Sequence, residues 1–153
     1  MTLFLLQGSL LGQSQSGLEL VSIGPRPVSV IVVIKRMFSA SELESLYVCK
    51  LVIRKLEGIN HSGGTTTQPY VYIENGKTNI YFSSNRPGGY GGMDIWIAKL
   101  DKDGFVIKVQ NCGDAINTPG DEMSPFYQAD SNRLFFSSDW HPGLGGLDIF
   151  YAD

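Results

Sequence analysis

The feature that most restricts the fold of this chain is an internal repeat. The stretch IYFSSNRPGGYGGMDIWIA, residues 80–98, aligns without gaps to LFFSSDWHPGLGGLDIFYA, residues 134–152. The recurring positions, each pair 54 residues apart, include Phe82 and Phe136, Ser83 and Ser137, Gly92 and Gly146, and Asp94 and Asp148. Self-similarity of this kind predicts that each copy folds into the same unit and that neighbouring units stack on one another.

Each copy has the local signals of short strands joined by tight turns. Asn75-Gly76 is typical of a hairpin turn, because both residues tolerate positive φ. The predicted strands cover residues 70–73, 79–84, 94–100 and 105–109 in the first copy, and 125–128, 133–138 and 147–151 in the second. The pattern therefore predicts a four-stranded antiparallel meander followed by three strands of another.

The N-terminal third repeats this pattern only loosely. Residues 18–23 and 28–38 have the composition of strands, which favours a degenerate unit over residues 17–57. The alternative for residues 39–48 is a short helix, because Ser41 followed by Glu44 forms a capping-box pattern. The resulting division is residues 1–16 without assigned structure, a degenerate or partial unit at 17–67, a complete unit at 68–111 and an incomplete unit at 112–153.

Composition excludes several classes of protein. The 18 glycines among 153 residues fall in short clusters at predicted turns, and the net charge is −3. The chain therefore lacks the basic surface of a nucleic-acid-binding protein, and no apolar run reaches the ~18 residues of a membrane-spanning helix. Cys49 and Cys112 are too few for a disulfide framework, so we expect buried thiols, with a single bridge as the alternative. No CxxC motif or cysteine–histidine cluster indicates a zinc site, and the spacing of His61 and His141 suggests no metal ligation.

The loops after the second strand of each unit are the candidate interaction surface. In a meander these loops, residues 86–92 and 140–146, lie at the same end as the connection between units, residues 111–123. The candidate partner-binding residues at this end are Arg86, Tyr90, Asp121, Glu122, Trp140 and His141. Aromatic and charged side chains of this kind are typical of recognition surfaces. The alternative is that Tyr90 and Trp140 only cover adjacent sheets.

Two acidic residues and two serine pairs recur in the repeat, and a structural role is expected for them. Asp94 and Asp148 each follow a Gly-Gly pair, so their carboxylates are expected to accept hydrogen bonds from the N–H groups of the glycine loop. A calcium site would require several convergent oxygen atoms. Ser83 and Ser137 lie in strands without the glycine elbow that exposes a hydrolase nucleophile.

The motifs YFSSNRPGGYGGMDIW and FFSSDWHPGLGGLDIF, each preceded by an Ile-Asn connection, resemble the WD-like β-propeller repeat of TolB-type periplasmic proteins. The resemblance covers about residues 46–153 and is nearest to the branch found in OmpA-associated envelope proteins of Bacteroidetes-like bacteria. It implies an all-β chain, a partial β-propeller of four-stranded antiparallel blades with two clear blades and a degenerate one. It also implies no cofactor and a role in binding other envelope components.

The resemblance therefore implies a non-catalytic β-propeller repeat module of a bacterial cell-envelope protein, in the periplasm or at the outer membrane. Its expected partners are envelope proteins or cell-wall glycan. The alternatives are the propeller domain of a glycosidase or peptidase, and a lectin-like binder that uses Trp140 and Tyr90 as stacking platforms.

Alternation along residues 81–84 puts one aromatic ring and one hydroxyl on each face of the strand that they form. Closed propellers have 4–8 blades, so the chain is expected to be a fragment of a longer protein or to self-associate.

Overall fold

The computed structural model describes the backbone of residues 18–23, 30–37 and 50–55 and the whole of residues 56–153. This part of the chain is all-β, with ten strands and one short 3-10 helix (Ala129–Ser131). The strands are β1 (Leu18–Ile23), β2 (Val30–Met37), β3 (Lys50–Lys55), β4 (Thr66–Glu74), β5 (Lys77–Ser84), β6 (Asp94–Leu100), β7 (Val106–Asn111), β8 (Glu122–Gln128), β9 (Arg133–Ser138) and β10 (Asp148–Ala152). The described residues include no helix that is long and apolar enough to cross a membrane.

The strands form three antiparallel sheets, each an up-and-down meander in chain order. The N-terminal sheet is β1-β2-β3, the central sheet is β4-β5-β6-β7 and the C-terminal sheet is β8-β9-β10. None of these described sheets closes on itself. The predicted four-stranded and three-stranded meanders are therefore confirmed, as are the two N-terminal strands to within two residues. The competing helix at residues 39–48 lies outside the described residues.

Backbone details recur between the central and C-terminal sheets. Gln68 in β4 and Ser124 in β8 both have positive φ, 52° and 55°, and each precedes a proline at a register shift in its strand. Positive φ is uncommon for residues other than glycine. The same bulge in β4 and β8 therefore indicates that the two sheets share one backbone conformation at this position. The hairpin turn at Asn75-Gly76 is confirmed, with φ of 49° and 72°.

The central sheet is buried on both faces. On its first face a cluster of apolar residues in β5 and β6 packs against Leu56 and Ile59, the segment that precedes β4. On its second face Ile95 packs against Leu134 and Phe136 of the C-terminal sheet. Successive side chains of a strand point to opposite faces, so the predicted alternation appears as Phe82 on the first face and Tyr81 on the second.

Aromatic contacts join the central sheet to β8. The ring of Tyr127 lies 4.3 Å from that of Tyr72 and 5.8 Å from that of Tyr81, measured between centroids. Tyr70 packs edge-on against Phe126 and donates a hydrogen bond of 2.9 Å from its hydroxyl to the Tyr127 carbonyl. Aromatic pairs contribute about 0.5–1.5 kcal/mol each beyond the area they bury, so these contacts fix how the two sheets stack.

Candidate interaction surface

Three loop segments meet at one end of the two sheets, as the meander topology predicts. We call residues 85–93, 118–121 and 139–147 the loop rim. The N–H of Gly92 donates to the Gly120 carbonyl at 2.9 Å, and the N–H of Met93 donates to the Asp121 carboxylate at 2.7 Å. The N–H of Asp121 in turn donates to the Asp139 carboxylate at 2.8 Å. The rim is therefore one hydrogen-bonded surface formed by both repeat copies.

A carboxylate at the base of each glycine loop orders that loop. Asp94 is fully buried and accepts hydrogen bonds from the N–H groups of Tyr90 (2.7 Å) and Gly91 (3.3 Å). Asp148 accepts the same pair of bonds, from Leu144 (2.6 Å) and Gly145 (3.3 Å). These are the hydrogen bonds expected from the sequence, and charge-assisted bonds of this type are stronger than neutral ones. The loops are therefore held in one conformation by the strand that follows them.

Close approach of backbones explains why the loops need glycine. A Cβ atom on Gly91 would collide with the backbone of Thr118 and Pro119, and one on Gly143 would collide with the Asp148 carboxylate. Gly92 and its repeat equivalent Gly146 require glycine for different reasons. Gly92 has the Asp121 carboxylate at the place of a Cβ, whereas Gly146 has open space there and a φ of 72°.

Arg86 belongs to the interior and is not exposed to a partner as the sequence suggested. Its guanidinium donates to the carbonyls of Gly58 (3.0 Å) and Ile59, and to the hydroxyl of Ser84 (3.2 Å). It also lies over the rings of Phe82 and Trp96, 4.7 and 5.2 Å from their centroids. Burial lowers the pKa of Arg86 to about 10. The side chain ties the segment before β4 to the first face of the central sheet.

His141 occupies the corresponding place in the second copy, although Trp140 is the residue aligned with Arg86. The imidazole of His141 packs against Phe136 and Phe150, the repeat equivalents of the two rings that Arg86 contacts. Its Nε2 lies 3.0 Å from the Ile116 carbonyl, which corresponds to the carbonyl of Ile59. The half-buried histidine therefore ties the connection between units to the C-terminal sheet.

Glu122 is also fully buried, which removes it from the exposed rim. Its carboxylate accepts hydrogen bonds from the N–H (2.8 Å) and hydroxyl (2.5 Å) of Thr118 and from the hydroxyl of Ser138 (2.8 Å). Buried charges are stable only when hydrogen-bonded in this way. Glu122 orders the turn that leads into β8.

Asn117 was not among the residues selected from the sequence, yet it connects the two units directly. Its side-chain amide accepts from the Ile95 N–H (2.7 Å) and donates to the Ile95 carbonyl (2.9 Å), so it pairs with β6 as a strand residue would. It also donates to the Asn111 side chain at 2.8 Å. The sequence feature that could have identified Asn117 is the recurrence of Ile-Asn at residues 59–60 and 116–117.

The exposed part of the rim is mainly apolar and aromatic. Trp140 is 62% exposed, Tyr90 is 50% exposed, and Leu144 at the tip of its loop is exposed throughout. Asp121 is half-buried and bridges the loops as described above. Of the six residues selected from the sequence, the two that the structure exposes to solvent are therefore Tyr90 and Trp140.

The polar groups below the rim are engaged in holding the fold. The hydroxyl of Ser83 donates to the Gln68 side chain at 3.3 Å, and that of Ser137 donates to the Met123 carbonyl at 3.1 Å. Within the described residues, no group of three or more histidine, cysteine, aspartate or glutamate side chains could bind a metal ion. These contacts join the serines of β5 and β9 to the bulged strands β4 and β8 beside them.

Cys112 is a free thiol at the junction of the central and C-terminal sheets. Burial, with a smaller effect of the nearby Asp94 carboxylate, raises its pKa to about 12. The thiolate is the reactive form of cysteine, so this thiol behaves as a small apolar group. Cys49 lies outside the described residues.

Comparisons of the chain with protein-family models, with curated proteins and with solved structures found no match.

Proposed function

We propose that this chain is a non-catalytic β-propeller repeat module of the bacterial cell envelope, and that its loop rim binds envelope proteins or cell-wall glycan. One observation supports the binding role above the others. Two large aromatic side chains, Tyr90 and Trp140, are exposed on loops that the carboxylates of Asp94 and Asp148 hold in place. Exposed aromatic residues on an ordered surface are typical of binding sites.

The propeller part of the proposal is supported by the likeness between the sheets. The central and C-terminal sheets share strand order, the bulge before a proline and the carboxylate-bound glycine loop. They also stack face to face, which is how blades pack in a propeller. We therefore interpret the three sheets as successive blades.

The outer face of the C-terminal sheet supports the same interpretation. Ile95 is fully buried because β8 and β9 cover its side of the central sheet, but its repeat equivalent Ile149 is 80% exposed. The rings of Phe126, Phe135 and Tyr151 form a row on this outer face. An apolar face of this type is expected to pack against another sheet of the same kind.

Purified residues 1–153 should therefore bind a hydrophobic dye or self-associate, and Ile149→Lys should reduce both dye binding and self-association. A monomer that binds no dye would contradict the blade interpretation.

The binding mechanism in this proposal is rigid display. Because Asp94 and Asp148 fix their loops, little conformational entropy remains to be lost when a partner binds. The buried carboxylates Asp94 and Glu122 are engaged by donors of the fold, which favours a structural role for them over acid–base chemistry.

Co-sedimentation with purified peptidoglycan sacculi tests the glycan arm of the proposal. We expect the chain to sediment with the sacculi, and we expect Trp140→Ala to remain folded and to lose this retention. Ile107→Ala is the matched control, because Ile107 is equally exposed but lies in β7, outside the rim. If Trp140→Ala unfolds the chain, the indole is part of the core packing and the rim is not a binding site at that position.

A further inference from the structure

The two repeat copies form the same hydrogen bond at the end of the sheets with different side chains. In the first copy the side-chain oxygen of Asn85 accepts from the N–H of Thr65, directly before β4, at 2.6 Å. In the second copy the carboxylate of Asp139 accepts from the N–H of Asp121, directly before β8, at 2.8 Å. A neutral amide is therefore sufficient for this bond, and the fold does not require the negative charge of Asp139.

Each of the two rim carboxylates has one oxygen atom that the fold does not use. Oδ1 of Asp139 accepts from the Asp121 N–H, and Oδ1 of Asp121 accepts from the Met93 N–H at 2.7 Å. Oδ2 of each carboxylate accepts no hydrogen bond from the described residues. Asp139 is exposed and Asp121 is half-buried. Backbone donors therefore hold two adjacent carboxylates in place, and each has an acceptor oxygen left for a ligand.

The exposed indole of Trp140 lies beside these carboxylates. A Cβ atom on Gly120 would collide both with the Trp140 Cβ and with the Asp139 carboxylate, so the two side chains pack over the same point of the rim. The aligned residue of the first copy, Arg86, is buried. An aromatic face is attractive to a cation, and the neighbouring carboxylates add a favourable charge interaction. The second copy therefore combines two groups that attract a positive charge.

The cationic side chains of the rim do not neutralise these carboxylates. Arg86 donates to carbonyls of the interior, and His141 packs against two aromatic rings of the C-terminal sheet. The ion pairs found among the described residues involve Lys102 and Arg133, both outside the rim. The accessible charge of the rim is therefore negative, which favours a cationic partner.

A guanidinium is bound by an aromatic ring and a carboxylate elsewhere in this chain. Arg133 lies over the ring of Tyr151, 4.5 Å from its centroid, and donates to the Asp153 carboxylate at 2.7 Å. Arginine suits such a site better than lysine, because its planar group stacks on a ring and donates several hydrogen bonds at once. The same two kinds of group are present at the rim without an arginine.

We infer that the loop rim binds an arginine side chain of a partner protein. The guanidinium stacks on the Trp140 indole and donates to the carboxylates of Asp139 and Asp121. This inference rests on the proposed binding role of the rim, and it commits that role to a protein, because cell-wall glycan carries no guanidinium group.

The tripeptide acetyl-Gly-Arg-Gly-amide tests the inference by NMR on the isotope-labelled full chain. The chain has two tryptophans, and the buried Trp96 donates its indole N–H to the Ser84 carbonyl at 3.1 Å, so its resonance serves as a reference for the folded state. We expect the Trp140 indole resonance to shift saturably, with a Kd of about 1 mM. The same peptide with citrulline, which is neutral and similar in shape to arginine, should bind about tenfold more weakly or less tightly still.

The double variant Asp121→Asn with Asp139→Asn removes the charge but keeps the oxygen atoms that accept from the backbone, as Asn85 does in the first copy. It should remain folded and bind the arginine peptide at least about tenfold more weakly. Asp130→Asn is the matched control, because Asp130 is exposed in the 3-10 helix between β8 and β9, at the opposite end of the C-terminal sheet. This control should bind like the wild type.

Absence of a Trp140 shift up to about 10 mM peptide, ten times the expected Kd, would overturn the inference. Equal binding of the arginine and citrulline peptides would also overturn it, and that comparison needs no variant to fold. Retention on sacculi that Trp140→Ala abolishes and the double variant keeps would overturn the arginine site while the rim function stands. Peptide binding in the absence of sacculi retention would support the arginine site and remove the glycan arm of the proposed function.

Discussion

Replacing Arg86 offers the sharpest test of how the segment before β4 is held on the central sheet. Arg86→Ala would leave the buried carbonyl of Ile59 without this donor, at a cost of about 1–3 kcal/mol, and would remove the part-buried bond to the Gly58 carbonyl, worth about 1 kcal/mol. It would also remove contacts with the rings of Phe82 and Trp96, worth about 0.5–2 kcal/mol each. Because such contributions are not additive, we expect the free energy of unfolding to fall by about 3–5 kcal/mol.

Urea unfolding followed by far-UV circular dichroism measures this loss, and a second arginine in the chain is the matched control. Arg133 also lies over a ring, 4.5 Å from the centroid of Tyr151, and forms an ion pair of 2.7 Å with Asp153. That pair is solvent-exposed, so Arg133→Ala should cost less than about 1 kcal/mol. Arg86→Met keeps the aliphatic stem, so it separates the loss of the guanidinium, with its hydrogen bonds and ring contacts, from the loss of packing by the stem. Equal effects of the two alanine variants would refute the structural role that we assign to Arg86.

Three further predictions use the same unfolding measurement. Asn117→Asp should cost about 2–4 kcal/mol, because an acceptor would then face the Ile95 carbonyl; a change below about 0.5 kcal/mol would contradict the pairing. Asp94→Ala should destabilise the fold by about 2–3 kcal/mol and Asp148→Ala by about 1 kcal/mol, because the first carboxylate is buried with an extra donor and the second lies in an exposed loop; the reverse order would contradict this. Stability should fall as pH rises from 9 to about 12, since the fold favours the neutral thiol of Cys112 while the unfolded chain ionises from its ordinary pKa. This decline should be smaller in Cys112→Ala, and an identical pH profile would show that another group causes it.

Much of the fold was predictable because its signals are local. Alternating apolar residues and turn chemistry at Asn75-Gly76 depend on a few neighbouring residues, so the strands and their antiparallel order could be read from the repeat. The hydrogen bonds of Asp94 and Asp148 were predictable for the same reason, since donor and acceptor are three or four positions apart. The blade interpretation, the envelope location and the partner stay predictions.

The exposure of the candidate site residues could not be read in this way. Arg86 and Glu122 are charged loop-proximal residues, and charged residues are mostly exposed, yet each is buried by segments distant in sequence. The carbonyl acceptors of Arg86 lie 27 and 28 positions earlier, and one donor to Glu122 lies 16 positions later. Burial of a charge depends on whether the stacked sheets supply such partners.

The sequence by itself determined the units of this protein: which residues form strands, where the chain turns, and that one design is used twice. Only the tertiary structure decided how those units are joined. In the second copy His141 has the position that Arg86 has in the first, although the alignment pairs Arg86 with Trp140. The side chain of Asn117 forms hydrogen bonds with the backbone of β6. The physical reason is that strand and turn preferences act over a few bonds, whereas burial and hydrogen bonding between sheets depend on groups that meet only when the sheets stack.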